Sequence, residues 1–422
     1  MIRIEIPEDV NMIISSLRAE GYEAYAVGGC VRDCLLGVEP KDWDITTSAL
    51  PEAVKSIFPR TIDTGIKHGT VTVMVHGTGY EVTTYRVDGK YLDGRHPENV
   101  SFTRCLDEDL KRRDFTINAF VYSEETGIKD LFGGLEDLKN GIIRCVGNPE
   151  ERFGEDALRI LRAVRFAAKL GFEIEPETYR AAVTLRKNLN LVSSERIKAE
   201  LDKILISDNP GHLCLLKEMR ISDVIIPEIN QVEDRLLKEP LEQCERDLTI
   251  RWIVLGYILE KKAFSGAAGQ VMHRLKFDNR TFNKGELFIR LSGMELPRKK
   301  AETSVSNPGK TEKEYRILCR KLIHNTGAEN LSGFISYCEA LSSVFPEFKN
   351  DYSYLRQETE DIIDKKECTD LKDLKVNGKD IILATGVNGA EVGKRLDALL
   401  EMVLSDPGLN NRETLLEAVG KM

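Results

Sequence analysis

Two adjacent glycines, Gly28 and Gly29, stand twelve residues ahead of the sequence Asp42-Trp43-Asp44-Ile45, a spacing that couples a phosphate-binding turn to a pair of carboxylates. Paired glycines let the backbone turn sharply and approach a phosphate closely. The helix expected next, residues 31–36, offers unpaired N–H groups and the positive end of its dipole to an anion, and Arg32 adds a fork of donors in its first turn. Side chains two apart on a strand point to one side. Asp42 and Asp44 are therefore expected to face a single spot, with Trp43 and Ile45 turned into the core. Carboxylates so close repel unless a cation sits between them, and Mg²⁺ is the hard, oxygen-seeking ion that accompanies phosphates. Two-metal phosphoryl transfer commonly uses a third carboxylate. Glu81 is the candidate if the strand at residues 80–85 lies beside the first, and otherwise a solvent-facing strand residue. Together these residues read as a nucleotidyl-transfer site.

A second concentration of charge runs Glu-Asp-Ala-Leu-Arg-Ile-Leu-Arg-Ala-Val-Arg-Phe over residues 155–166. On one continuous helix Glu155, Asp156, Arg159 and Arg162 fall within an arc of about 120°. Ile160, Leu161, Val164 and Ala168 occupy another arc. On an arbitrary helix such alternating charge is a salt-bridged, solvated face; beside a nucleotidyl-transfer motif it reads as a recognition surface. Arg165 lies nearly opposite Asp156. Arg113 and Asp114, with Asn118 a turn later, read from the bare sequence as a helix-start ion pair.

The elements that must carry these residues are of two kinds. Up to about residue 150 the apolar segments are short and β-branched, as at residues 70–75 and 80–87, and alternate with Gly turns and brief helices such as the one marked by Val10, Ile13, Ile14 and Leu17. From Pro149 onward apolar residues recur at three and four, as in Val392, Leu396, Leu399, Leu400 and Val403, and the rest is expected to be helical throughout. Polar joints are expected at residues 207–210 and 298–313. Residues 298–321 hold eight basic side chains against three acids, a solvated linker or a phosphate-backbone contact.

Composition narrows the class. At 422 residues and 41% hydrophobic the chain is too long for one core. No apolar run reaches the ~18 residues of a membrane span, and the N-terminus shows neither a basic nor an apolar signal region, so the cytoplasm is the expected compartment. Nine cysteines at irregular spacing fit reduced thiols; Cys30 and Cys34 would share a helix face as packing groups. A formal charge of -9 excludes an overall basic coat while allowing a local basic groove. None of the six histidines precedes an aspartate, so a His-Asp phosphohydrolase module is not expected, and His68 beside Gly69 reads as a turn or core residue.

The Gly-Gly to Asp-x-Asp unit resembles the signature of polymerase-β-type nucleotidyltransferases. Residues 28–37 (Gly-Gly-Cys-Val-Arg-Asp-Cys-Leu-Leu-Gly), 112–119 (Arg-Arg-Asp-Phe-Thr-Ile-Asn-Ala) and 155–166 narrow it further. They resemble the class II tRNA nucleotidyltransferase and bacterial poly(A) polymerase family over about residues 22–205, and the segment 376–406 is similar to the tail of the bacterial CCA-adding enzymes. The resemblance implies an α/β polymerase-β-like head at residues 1–148, then an all-helical neck (149–207), body (208–325) and tail (326–422), the tail binding tRNA. It implies Gly29 and Arg32 on the triphosphate, Arg113 and Asp114 reading the ribose, and Asp156 and Arg159 reading the base. Cytosine and adenine each carry an exocyclic amine beside a ring acceptor, which suits a carboxylate paired with a guanidinium. Against UTP or GTP the carboxylate would face a carbonyl, leaving two acceptors unmet. Arg162 and Arg165 are implied at the triphosphate or in support of the base pair of contacts.

A Gly-rich polar segment at residues 87–97 resembles the flexible loop of relatives that add the terminal A, with His96 where a second Arg is common. The resemblance thus implies CCA addition to tRNA from CTP and ATP by Asp42, Asp44 and Glu81 with Mg²⁺. The rivals are an A-adding enzyme or a poly(A) polymerase with the same chemistry, and, in another class, an inactive RNA-binding protein on the same scaffold. The last would have lost a carboxylate or Arg159, and both are present. No oligomeric state is implied.

Overall fold

The apolar stripe Val10, Ile13, Ile14 and Leu17 is buried along the first helix, α1 (Glu8–Ala19), which packs on the strand after it. In the computed structural model, which describes residues 3–89, 100–294, 296–298 and 308–422, the chain divides into two compact units, Met1–Gln231 and Val232–Met422.

The first unit follows α1 with β1 (Ala24–Val27), α2 (Gly29–Leu35), β2 (Asp44–Thr47), α3 (Pro51–Ile57), β3 (Thr61–Gly65), β4 (Thr70–Val75), β5 (Thr78–Thr84), β6 (Arg86–Asp88) and β7 (Val100–Phe102). Then come α4 (Leu106–Lys111), β8 (Val121–Ser123), β9 (Gly127–Lys129), α5 (Gly134–Asn140) and β10 (Ile142–Ile143). Seven strands form one mixed sheet in the order β3-β4-β5-β2-β1-β8-β9. Its parallel pair, β2 with β5, places Asp44 opposite Glu81, so the strand carrying the third carboxylate does lie beside the first. β1 runs antiparallel to both β2 and β8. All four β1 residues are buried, as a central strand requires.

Helices α6 (Pro149–Glu155), α7 (Leu158–Leu170), α8 (Pro176–Leu185) and α9 (Ser194–Leu205) complete the described α/β-to-helical transition, and α7 lies along α9. One expectation fails in detail: β11 (Glu173–Ile174) pairs in parallel with β10, so the stretch after Pro149 is not helical throughout. The expected joint at residues 207–210 lies inside the first unit. There Pro210 begins a short 3₁₀ turn and Asn209 Nδ2 donates to the Ala168 carbonyl near the end of α7, at 3.0 Å. A Pro-containing polar stretch can cap and pack as readily as it can link.

In the second unit the helix Leu248–Lys262 buries Ile250 through Leu259. Tyr257, Tyr337, Phe345 and Phe348 meet edge-to-face around it, with ring centroids 5.3 to 6.5 Å apart. A separate core joins Ile381, Leu399, Leu400, Val403, Leu404, Leu415 and Val419. The basic run expected as linker or phosphate contact is largely the helix Pro308–Thr326, and its arginines face protein acids. Arg316 pairs with Glu358 (3.1 Å), Asp361 (2.6 Å) and Glu367 (2.5 Å), Arg320 with Glu367 (2.7 Å), and Lys321 with Glu401 (2.6 Å). Their partners come from residues forty or more positions away, beyond the reach of a local charge count.

All nine cysteines are unbridged, and Cys30 is buried with its thiol donating to the Val27 carbonyl. Among the described residues no helix is long and apolar enough to cross a membrane.

Candidate active site

β1 ends at Val27 and the chain turns through Gly28, whose φ of +81° only glycine adopts without strain. A Cβ there would stand 3.1 Å from Nη1 of Arg113, so the absence of a side chain also makes room for that guanidinium. Gly29 opens α2, and Cys30 and Val31 anchor it in the core.

Asp44 is the first residue of β2 and its carboxylate stands at the surface of a cleft of about 210 Å³. Glu81 lies across from it on β5, and Arg86, Arg112 and Arg113 line the same cleft. Asp42 departs from the expectation: it precedes the strand, so strand alternation does not place it on the face of Asp44. It is nevertheless close enough to act on Asp44. The surrounding protein, then Glu81, then Asp42 push the Asp44 carboxyl above its ordinary range, opposed by Arg113. Crowded carboxylates of this kind accept a divalent cation. Among the described residues, however, no three Asp, Glu, His or Cys groups form a closed cage. Such a seat suits a hard ion that is held by one or two carboxylates and completes its shell with phosphate and water oxygens. A larger groove of about 670 Å³, lined by residues 3–7, Pro40 and Trp43, contains none of the expected site residues.

Arg113 and Asp114 follow α4 in a turn rather than starting a helix, and they face different neighbours. Arg113 points to the cleft. Burial pulls its guanidinium below the ordinary range, its Nε has no hydrogen-bond partner, and Nη2 is 3.6 Å from Asp109. Asp114 faces the helices. Its Oδ1 accepts from the Phe115 N–H (2.8 Å) and Asn118 Nδ2 (3.1 Å), and its Oδ2 accepts from Arg162 Nε (2.7 Å) and Nη2. Burial opposes ionisation there, yet Arg162 and Asn118 hold the carboxyl well below the usual carboxylate range.

The charged stretch 155–166 is not one helix. α6 stops at Glu155, Asp156 has an extended backbone (φ -137°, ψ 105°), and α7 begins at Leu158. The cause is local: Asp156 Oδ1 accepts from the Leu158 N–H at 3.0 Å, the side-chain competition by which aspartate ends one helix and starts another. The single-arc geometry expected for Glu155 and Asp156 is therefore replaced by a pivot. Asp156 Oδ2 accepts from Arg196 Nη2 of α9 at 2.9 Å. Arg159, 9% exposed, donates to Glu155 (2.7 Å) and to the carbonyls of Arg152 (3.2 Å) and Arg112 (2.9 Å). Asp156 and Arg159 thus flank the pivot, each held by another partner.

Phe166 gathers the remaining arginines. Arg165, Arg32 and Arg162 stand 4.1, 5.2 and 5.5 Å from its ring centroid, each within reach of a cation–π contact. Arg165 pairs with buried Glu200 of α9 at 3.0 Å, and burial together with Arg162 lowers it to about 10. Arg32, buried on α2, donates to Asp33 (2.8 Å) and Asn118 and so faces inward. The expected loop at residues 87–97 lies mostly outside the described residues; its near edge is β6, where Arg86 Nη1 donates to the carbonyl of exposed His68 at 2.6 Å.

Sequence reasoning passed over Asp109, Arg196, Glu200 and Phe166 as site residues. Asp109 was legible, being three and four positions before Arg112 and Arg113. Arg196 and Glu200 were not, because only the packing of α9 on α7 brings them to Asp156 and Arg165.

Comparison with known proteins follows the same outline. Residues 24–144 match the family model of the poly A polymerase head domain, and residues 171–232 match that of the probable RNA and SrmB-binding site of polymerase A. A CCA-adding enzyme of Leuconostoc mesenteroides is 54% identical over 198 residues, a stretch spanning 47% of this chain and 49% of that relative. A CCA-adding enzyme of Ligilactobacillus salivarius is 35% identical over 442 aligned positions, covering 100% of this chain and 99% of its own. The crystal structure of the Bacillus stearothermophilus CCA-adding enzyme in complex with CTP superposes with a TM-score of 0.77 at 33% identity, over 97% of this chain and 95% of that one.

Proposed function

This chain belongs to the family of the CCA-adding enzymes, and from that premise we propose that it adds C, C and A to the 3′ end of tRNA from CTP and ATP, without a template and with release of pyrophosphate. The observation that carries the reading is the in-register pair Asp44 and Glu81 in a cleft shared with Arg113, one residue from the Asp114–Arg162 bridge that ties this cleft to the Asp156 pivot.

The reaction joins the primer 3′ oxygen to the α-phosphorus and breaks the bond to the β-phosphate. Asp44 and Glu81, with Asp42 alongside, would hold divalent metal, and we take it to be Mg²⁺. When bound, such an ion would favour the deprotonated 3′ oxygen and offset charge on the phosphates. The residues of the chain do the positioning. The Gly28-Gly29 turn lets phosphate approach the backbone, Arg113 brings a guanidinium whose Nε lacks a partner, and Arg32 backs this wall from within. Asp114 and Arg113 would meet the ribose and the phosphates. At the pivot, Asp156 would accept from the exocyclic amine of cytosine or adenine while Arg159 donates to the ring nitrogen. Both must exchange a present partner for the base, Arg196 in one case and Glu155 in the other, which makes binding a replacement of a charged partner by a neutral one. Arg162 and Arg165 hold the pivot side through Asp114, Phe166 and Glu200.

We divide the chain into a catalytic head (1–148), a base-reading neck (149–207), a body (208–325) and a tRNA-binding tail (326–422). The helical parts would grip tRNA by shape and backbone. The expected compartment is the cytoplasm.

Purified protein incubated with tRNA lacking its terminus and with single nucleotides tests the proposal. Addition of two C from CTP, followed by one A once ATP is supplied, is expected. Extension with A alone would replace the reading by an A-adding enzyme or poly(A) polymerase. No incorporation under any metal would leave an RNA-binding scaffold.

A further inference from the structure

Asp109, on α4, is fully buried and carries contacts from three segments. Its two oxygens divide the work. Oδ1 accepts from the Arg86 N–H (3.2 Å) and from Arg112 Nε (3.1 Å) and Nη2 (2.6 Å). Oδ2 accepts from Thr46 Oγ1 (3.3 Å), two residues along β2 from Asp44, and faces Arg113 Nη2 at 3.6 Å. Burial opposes its ionisation, but Arg112 and Arg113 hold the carboxyl below its ordinary range, so it is a buried negative charge at neutral pH.

Arg113 therefore stands between two acids. Asp109 faces it from behind at 3.6 Å, and Asp44 shares the cleft in front. No hydrogen bond pins the guanidinium among the described residues: its Nε is buried without a partner, and its one ion pair is with Asp109. An arginine so loosely held moves toward whichever acid attracts it more. If it moves forward it neutralises Asp44 and occupies the space in which a cation would sit.

We propose that Asp109 is a positioning residue that holds Arg113 back from Asp44 and Glu81 and so keeps the cation seat open. The proposal rests on the reading of Asp44 and Glu81 as the cation-holding carboxylates. Asp109 touches neither substrate nor metal. Its negative charge balances Arg113 from the rear, and its Thr46 contact fixes that charge relative to the strand bearing Asp44.

Asp109→Asn isolates this role. The amide oxygen in the place of Oδ1 keeps the acceptor for Arg86 N–H and Arg112. The amide nitrogen in the place of Oδ2 reverses the Thr46 contact, donating to Oγ1 where the carboxylate accepted from it, and turns a donor toward Arg113. Shape and local hydrogen bonds survive while the attraction for Arg113 is lost.

The readout is direct binding of Mn²⁺ to the full chain without nucleotide or tRNA, with unbound ion counted by electron paramagnetic resonance. Wild type is expected to bind, and Asp44→Asn to lose that binding. Asp109→Asn should bind on the order of tenfold more weakly, the scale of one charge displaced by a few ångströms in a partly screened cleft. The deciding arm is the comparison of Arg113→Ala with Asp109→Asn/Arg113→Ala. Without the arginine there is nothing to hold back, so the Asp109→Asn penalty should fall below about twofold, as coupling between contacting residues requires. A penalty unchanged in the Arg113→Ala background, whether through misfolding or a general structural role, overturns the proposal. So does Mn²⁺ binding by Asp109→Asn equal to wild type. Wild type that binds no Mn²⁺ removes the carboxylate reading and this inference with it, whereas wild-type binding with no coupling removes the inference alone.

Discussion

Asp114→Asn tests whether the bridge between the turn after α4 and α7 has the weight the structure gives it. The substitution keeps Oδ1, which accepts from the Phe115 N–H and Asn118 Nδ2, and replaces Oδ2 with an N–H₂ group turned toward Arg162, donor against donor. Removing one partner of a buried ion pair costs about 3–5 kcal/mol. Asp114 is buried, but the Arg162 side chain is 31% exposed and recovers part of its hydration. We therefore expect a loss of roughly 2–3 kcal/mol in the first unit. For a unit the size of Met1–Gln231 each kcal/mol moves the midpoint by about 2–4 °C, giving a fall of about 4–12 °C. The two tryptophans make the assay selective: Trp43 lies in the first unit and Trp252 in the second, so Trp43 fluorescence in a Trp252→Phe background follows the first. The pH dependence has a fixed sign. Asp114 is held below its unfolded value, so its stabilisation is fully present above the ordinary aspartate range and is lost as pH falls through the depressed value. The gap between wild type and Asp114→Asn should be constant from about pH 5 to 8 and shrink below about pH 4. A midpoint within about 1 °C of wild type, or a gap that widens on acidification, would refute the reasoning.

Three further outcomes follow from the same geometry. Asp44→Asn and Glu81→Gln should each abolish nucleotide incorporation while leaving the melting of the first unit nearly unchanged, because both side chains lie at the cleft surface; full activity in either variant would remove it from the metal site. Asp156→Asn turns an acceptor into a donor that suits the uracil carbonyl, and should shift preference from CTP toward UTP by roughly 10- to 100-fold in competition assays, the scale of one unmet buried polar contact. An unaltered ratio would dissociate Asp156 from base choice. Gly28→Ala forces an alanine to φ +81° and a Cβ to 3.1 Å from Arg113 Nη1. It should cost about 1–3 kcal/mol in backbone strain and raise the KM for nucleotide; unchanged melting and KM would show that the turn relaxes.

The sequence by itself determined the order and type of the local pieces. Periodicity placed α1 and the strand at residues 70–75, because a helical stripe over twelve residues and an alternation over six are written into consecutive residues. The glycine pair announced a turn, made at Gly28 with a backbone that favours glycine, and the type and spacing of Asp42 and Asp44 raised the expectation of metal chemistry, with Glu81 as a conditional third carboxylate. What the sequence left open depended on contacts between distant segments. Whether Glu81 met Asp44 rested on the parallel pairing of β2 with β5, a register set by the whole sheet. The break at Asp156 arose from a side chain competing with the backbone for one N–H, which a helical projection through residues 155–166 passes over. Arg316 and Arg320 looked like linker or phosphate-binding charge until the fold brought Glu358, Asp361 and Glu367 to them. A residue's chemistry is local and can be read along the chain. The partner that spends or withholds that chemistry is often chosen by packing: for Arg113 the chain itself offers Asp109 four positions back, while only the tertiary structure brings Asp44 into the same cleft.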